Sequence, residues 1–231
     1  MVVSKRSCIV VKPLTRFLFS QEHSVRLLYT EDDYKRETLD GLHKAQQKVS
    51  AFFHQKKPIE LTVYLVSHRQ AFMRTVTNIL KKTPSPTLFA QAQGVELVLL
   101  SPAAYFPSYD DQGYQELMCS EMIAMYSAMH RETELPNWLK KGLAVYLVCD
   151  ERVHRIDKKN HLTIRDIEQS FKSDRIWSAL LVRFIEEEYG EEALYDLATG
   201  KVANLFELLG KNGEANWQRW LTSTFQSPAL S

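Results

Sequence analysis

The stretch Leu117–Val148, LMCSEMIAMYSAMHRETELPNWLKKGLAVYLV, decides how this chain is read. Met118, Met122, Met125 and Met129 recur at the three- and four-residue steps of a helix and predict one broad apolar stripe. The opposite face carries Ser120, Ala124, Ser127 and Ala128, all small. A helix that is bulky on one face and small on the other packs on both sides, so this one is expected to run through the middle of a domain. A polar loop and a Leu135-Pro136 turn end it. A second helix is predicted from Asn137 to Val148.

These residues resemble the active-site helix pair of the zincin metallopeptidases, specifically the gluzincin-like, peptidase MA-like group. In that group the first helix carries H-E-x-x-H, and a later segment reads L-P-x-W-L-x-E-G-L-A-x-Y. Both His and the later Glu bind zinc there, and the Glu of the first motif is the general base. Here Leu135-Pro136-Asn137-Trp138-Leu139-Lys140-Lys141-Gly142-Leu143-Ala144-Val145-Tyr146 closely matches the second segment. Ser120-Glu121-Met122-Ile123-Ala124 stands in the place of the first. The resemblance therefore puts Ser120, Ala124 and Lys141 at the former metal positions and leaves only Glu121, at the general-base position. It implies an α+β, zincin-like fold with a small N-terminal β-sheet and a long helix, a central former active-site helix, and an all-helical C-terminal subdomain. The boundary is expected near residue 150, giving subdomains 1–150 and 151–231 in a single compact unit.

Zinc chemistry then fails at the level of donor atoms. A catalytic zinc takes three protein ligands and a water. The Ala124 methyl offers no lone pair, and the Ser120 hydroxyl is a poor ligand at neutral pH. The Lys141 ammonium would sit where a dication belongs. Without a metal, water keeps a pKa near that of bulk water, and Glu121 has no activated nucleophile to generate. The resemblance thus implies a catalytically inactive metallopeptidase-like protein with no metal and no cofactor. It would act as a binding or regulatory module that takes a peptide or protein in the former substrate cleft. Two other readings stay open. One is an active peptidase or hydrolase with unconventional metal ligands or with Glu121 as its base. The other is a structural or assembly protein whose cleft is closed.

Several side chains carry an expectation and its plainer alternative. A buried, unpaired carboxylate is costly. The resemblance places Lys141 opposite Glu121, so Lys141 is expected to pair with it near the old zinc position, the alternative being a solvated Lys141. The small face of the first helix is expected to be filled by neighbouring groups, because an unfilled void destabilises; the alternative is an open pocket. Tyr105, Phe106, Tyr109 and Tyr114 would fill it or line it, and Tyr105, Phe106, Tyr109 and Trp138 are the candidate cleft residues. His130 follows the first helix and reads as a solvated loop residue. No two of the seven histidines stand four residues apart, so no helix offers a replacement pair of ligands. Cys119 adjoins the motif but has no evident base to activate it, and reads as buried and inert. Asp110, Asp111 and Glu116 could hold a hard cation, although spread acids usually form a solvated face.

Composition narrows the partners. Net charge is +1 with no basic block, which argues against nucleic acid and against an anionic membrane surface. Cys8, Cys119 and Cys149 are odd in number and widely spaced, which excludes a disulfide framework and suggests a reducing compartment. After Lys5 and Arg6 the apolar run Cys8 to Val11 is too short for a signal peptide or a membrane span, so a cytoplasmic location is the default expectation. The oligomeric state stays open.

Outward from the central stretch, β-rich runs predict strands at Cys8 to Val11, Ser24 to Tyr29 and Leu61 to Val66. A helix is expected from Thr30 or Glu31 to Phe53, with Leu39, Leu42, Ala45, Val49, Phe52 and Phe53 inward. A short helix is expected from His68 to Lys81, and Gly94 centres a hairpin of Thr87 to Gln91 with Val95 to Leu100. Beyond Val148 the pattern is helical. Thr163 and Asp166 form a capping box for a helix to Phe171. Ser173 to Tyr189 follows, ended by Gly190, then two shorter helices near 191–199 and 201–209 and a last one from Glu214 to Phe225.

Overall fold

A computed structural model describes residues 17–31, 34–85, 88–104, 111–148, 162–169 and 175–225. Five strands form one sheet: β1 Leu18–Glu22, β2 Val25–Tyr29, β3 Leu61–Val66, β4 Ala90–Gln93 and β5 Glu96–Leu100, in the order β1-β2-β3-β5-β4. The three inner strands are mutually parallel, and each edge strand runs antiparallel to its neighbour. Both edge strands arise from two-residue turns, at His23-Ser24 and at Gly94-Val95. Gly94 sits at φ +57, a conformation that glycine adopts without strain. The parallel pairs need crossovers. Helix α1, Lys35–Phe52, carries the chain from β2 to β3.

The two faces of the sheet bury separate clusters. Val63, Leu65, Leu97 and Leu99 point into the main core, with Leu39, Leu42, Ala45, Val49 and Phe52 of α1. Val66, Val98 and Leu100 alternate to the other face, where they meet Phe72, Val76 and Leu80. Those last residues lie on α2, Arg69–Thr75, and on the π-helical turn Val76–Leu80 that continues it. The helix expected from His68 to Lys81 is thus one α-helical and one π-helical piece, and Lys81 closes it in the left-handed region at φ 54.

Helix α3, Asp111–Ser127, is the expected central helix and begins six residues before the quoted stretch. It packs between α1, β4 and α4, Asn137–Val148. Met118, Met122 and Met125 are buried on it, but Met129 lies beyond its last turn and is 58% exposed. The stripe is therefore one residue shorter than the spacing suggests, because the helix ends at Ser127. The remaining helices are α5 Ile164–Gln169, α6 Arg175–Tyr189, α7 Glu191–Thr199, α8 Leu205–Leu209 and α9 Gly213–Phe225. The α5 capping box forms as read. Thr163 Oγ1 accepts from the Asp166 N–H at 3.1 Å, and the Asp166 carboxylate accepts from the Thr163 N–H at 3.0 Å.

Helix α6 lies along α4, and the approach is closest at Gly142, where a Cβ would meet the Ser178 carbonyl oxygen at 2.5 Å. Trp217 and Trp220 of α9 stack on each other against Phe184 of α6. One apolar cluster runs unbroken from the sheet through α3 and α4 to α6 and α9, so the segments on either side of residue 150 share a core. Among the described residues no helix is long and apolar enough to cross a membrane. The strand expected at Cys8 to Val11 lies outside the described residues.

Candidate functional site

Helix α3 passes beneath the edge strand β4 and presents Glu121 to it. Glu121 Oε2 accepts the N–H of Ala92 at 3.1 Å. Its other oxygen, Oε1, lies 3.1 Å from Nζ of Lys140, in the first turn of α4. Both side chains are largely shielded, with 12% and 26% of their surface exposed. The carboxylate therefore ties α3, α4 and β4 together, and each oxygen has a donor of its own.

The partner is Lys140, not the expected Lys141. Successive residues on a helix are turned by about 100°, so only one of two adjacent lysines can face α3 at this height. Lys141 is half-buried beside Lys140 and Arg175. Desolvation, and after it the positive charges of Lys140 and Arg175, hold its ammonium below the usual lysine range. Arg175 is engaged with Glu116, a buried acid of α3, at 2.8 Å. Glu116 is thus held in an ion pair. Asp110 lies outside the described residues, as does the side chain of Asp111.

Strand β4 is an edge, and its ladder to β5 leaves Ala92 turned outward. The Phe89 carbonyl accepts from Leu100 at 2.8 Å, so the alternate residues 89, 91 and 93 bond inward. Both outward groups of Ala92 are capped by side chains: its N–H by Glu121, and its C=O by Lys82 Nζ at 3.0 Å. Beside them the side-chain oxygen of Gln91 is buried and has no hydrogen-bond partner among the described residues. These groups line a cleft of about 760 Å³ together with Ala124 and Ala128 of α3, residues 133–135, Asn137 and Lys140.

The small face of α3 is thus half covered. Ser127 is buried and donates to the Ala198 carbonyl of α7 at 2.7 Å, whereas Ala124 and Ala128 border the cleft. Ser120 is half-buried. Trp138 is 4% exposed and belongs to the main core, so it packs behind the cleft instead of lining it. Tyr114 is likewise in the core. Tyr105, Phe106 and Tyr109 lie outside the described residues. His130 is exposed after α3, stacked on Phe53 with ring centroids 6.1 Å apart. Cys119 is a buried free thiol, and burial pushes its pKa up to about 12, which removes the thiolate that nucleophilic chemistry needs.

Zinc does not fit this donor set. Ala124, which lines the cleft, supplies no lone pair, and the Glu121 carboxylate is engaged by an ammonium and a main-chain N–H, both at 3.1 Å. Lys140, Lys82 and Ala92 are the site residues that sequence reasoning missed. Lys140 occupies a variable position of the quoted segment, so no motif drew attention to it. Ala92 matters only through its main chain. This chain matches no known protein family, and no characterised protein is significantly similar to it.

Proposed function

We propose that this chain is a zincin-like protein of the peptidase MA-like kind that holds no zinc at residues 120, 124 and 141 and cleaves no peptide. On this reading it is a binding or regulatory module whose cleft takes an extended segment of a peptide or protein. The observation that carries the reading is the pairing of Glu121 with the Lys140 ammonium at 3.1 Å, a cation on the acid that a peptidase of this kind would keep for a metal-bound water. The order of elements supports it: strands, a long helix, further strands, a central helix and then, among the described residues, helices alone. An extended ligand is supported by the edge of β4. The outward N–H and C=O of Ala92 are the groups an added strand would bond, and Glu121 and Lys82 hold them in its absence.

A peptide-library binding screen paired with a peptide-hydrolysis screen tests this. The expected result is saturable binding without cleavage, with binding abolished by Ala124→Trp, which fills the cleft. Hydrolysis that Glu121→Gln abolishes and Lys140→Met retains, or one metal ion per chain that Glu121→Gln releases and Lys140→Met does not, would overturn the reading.

A further inference from the structure

We propose that Glu22, His23 and His43 form a surface zinc site that fastens the β1–β2 turn to α1. It lies beside the opposite edge strand of the sheet from β4 and is independent of the cleft. One ligand atom from each residue, an imidazole nitrogen or a carboxylate oxygen, lies within 4.8 Å of the other two. Bonds of about 2.0–2.2 Å in tetrahedral zinc set ligand atoms about 3.3–3.5 Å apart, so closure asks for side-chain rotation of roughly an ångström and no change of fold. Two imidazoles and one carboxylate suit zinc. Calcium and magnesium prefer oxygen alone. The fourth position would be left to water, since Glu22 and His23 are exposed.

The framework under these three side chains is already fixed. Ser24, in the turn, donates to Gln46 Oε1 of α1 at 2.7 Å, and Gln46 Nε2 donates to the Ile59 carbonyl at 2.6 Å. The Ser24 carbonyl accepts from Leu61 of β3 at 2.8 Å. His43 stands three residues before Gln46, on the same face of α1, so the Ser24–Gln46 bond holds its imidazole at the turn. The rings of His23 and His43 meet edge to face with centroids 5.3 Å apart, and His43 Nε2 lies 3.4 Å from the Glu22 carbonyl oxygen. Among the described residues strand β1 pairs with β2 alone, so an ion spanning its turn and α1 gives this edge a second attachment.

Zinc chloride titrated calorimetrically into the full chain, in chelator-free, non-coordinating buffer, tests the assignment. The expected result is one zinc per chain and a thermal midpoint that rises with zinc. His23→Gly and His43→Gln should each weaken binding by more than about tenfold, the scale on which even outer-sphere losses act. Both variants suit their backbones. Residue 23 sits at φ 51, where glycine is unstrained, and glutamine is a good helix former at 43. No zinc uptake, or uptake unchanged in the double variant, overturns the proposal. So does uptake removed by Glu121→Gln, which would place the ion in the cleft.

Discussion

Replacing Gly142 by alanine opposes two effects of known sign. In isolation the change favours the helix by about 1 kcal/mol, because alanine is the better helix former. Packing opposes it. The new Cβ would lie 2.5 Å from the Ser178 carbonyl oxygen, 2.7 Å from its carbon and 2.9 Å from Val182 Cγ2. The first two atoms are backbone of α6 and cannot swing aside, so α4 and α6 must part by roughly an ångström to restore ordinary contact distances. That separation loosens Leu139, Leu143 and Ala144 against Ala179 and Val182, all in the core. Overpacking of this kind costs about 1–3 kcal/mol, and the separation of two whole helices sets it at the upper end. The net loss is then about 1–2 kcal/mol, a fall of about 2–8 °C in the midpoint for a chain of this size. Thermal unfolding followed by circular dichroism, with urea unfolding as a second measure, reads the change. A midpoint equal to or above that of the wild type would show that α4 and α6 do not meet at this glycine.

Three further outcomes follow from single contacts. Lys140→Met strands one oxygen of a carboxylate that is 12% exposed, and should cost about 1–2 kcal/mol, less than the 3–5 kcal/mol of a fully buried pair; adding Glu121→Gln should recover part of it, and an additive double-mutant cycle would refute the pairing. The Thr163 hydroxyl and N–H hold Asp166 below its ordinary value of 3.8, so its contribution is present above that value and lost as pH falls through the lower folded value. The stability gap between wild type and Asp166→Asn should therefore narrow only below about pH 3.8, and a gap that is constant with pH would contradict the capping box. Cys119 should resist iodoacetamide in the native protein at pH 8 and react in denaturant, as mapped by peptide mass. Native labelling at that residue would show that the helix face is open.

The sequence was most legible where one segment carried both a strong pattern and a stop signal. Leu61–Val66 and Asn137–Val148 fall as read at both ends, the first from its run of β-formers after Pro58 and the second because Pro136 fixes its start. Strand β1 escaped notice because Leu18 and Phe19 are exposed and its burial shows no alternation. A strand of that kind is made by its turn and its partner, not by a hydrophobic face. Helix α1 begins at Lys35, later than Thr30 or Glu31, since Tyr34 takes a left-handed conformation ahead of it. In the site, Glu121 was legible from the motif, but the choice between Lys140 and Lys141 depends on the rotation of α4 about its own axis. A one-residue error there turns a lysine from the cleft toward Arg175, and only the packing of α4 on α6 fixes it.

That rotation also bears on why an acid stands at position 121. If Glu121 were a base waiting for a substrate, its oxygens should be free to reach a water in the cleft. Instead one oxygen binds an ammonium and the other a main-chain amide, and these two bonds join three elements. Glutamine at 121 could keep one of them through its oxygen but would turn an NH₂ toward the other donor. Glu121→Gln is therefore a structural lesion as well as a chemical one. Loss of any activity in that variant is evidence of catalysis only if Lys140→Met, which disturbs the same joint and leaves the carboxylate in place, retains the activity. If both substitutions weaken peptide binding and neither reveals hydrolysis, the carboxylate is accounted for by the architecture of the cleft alone.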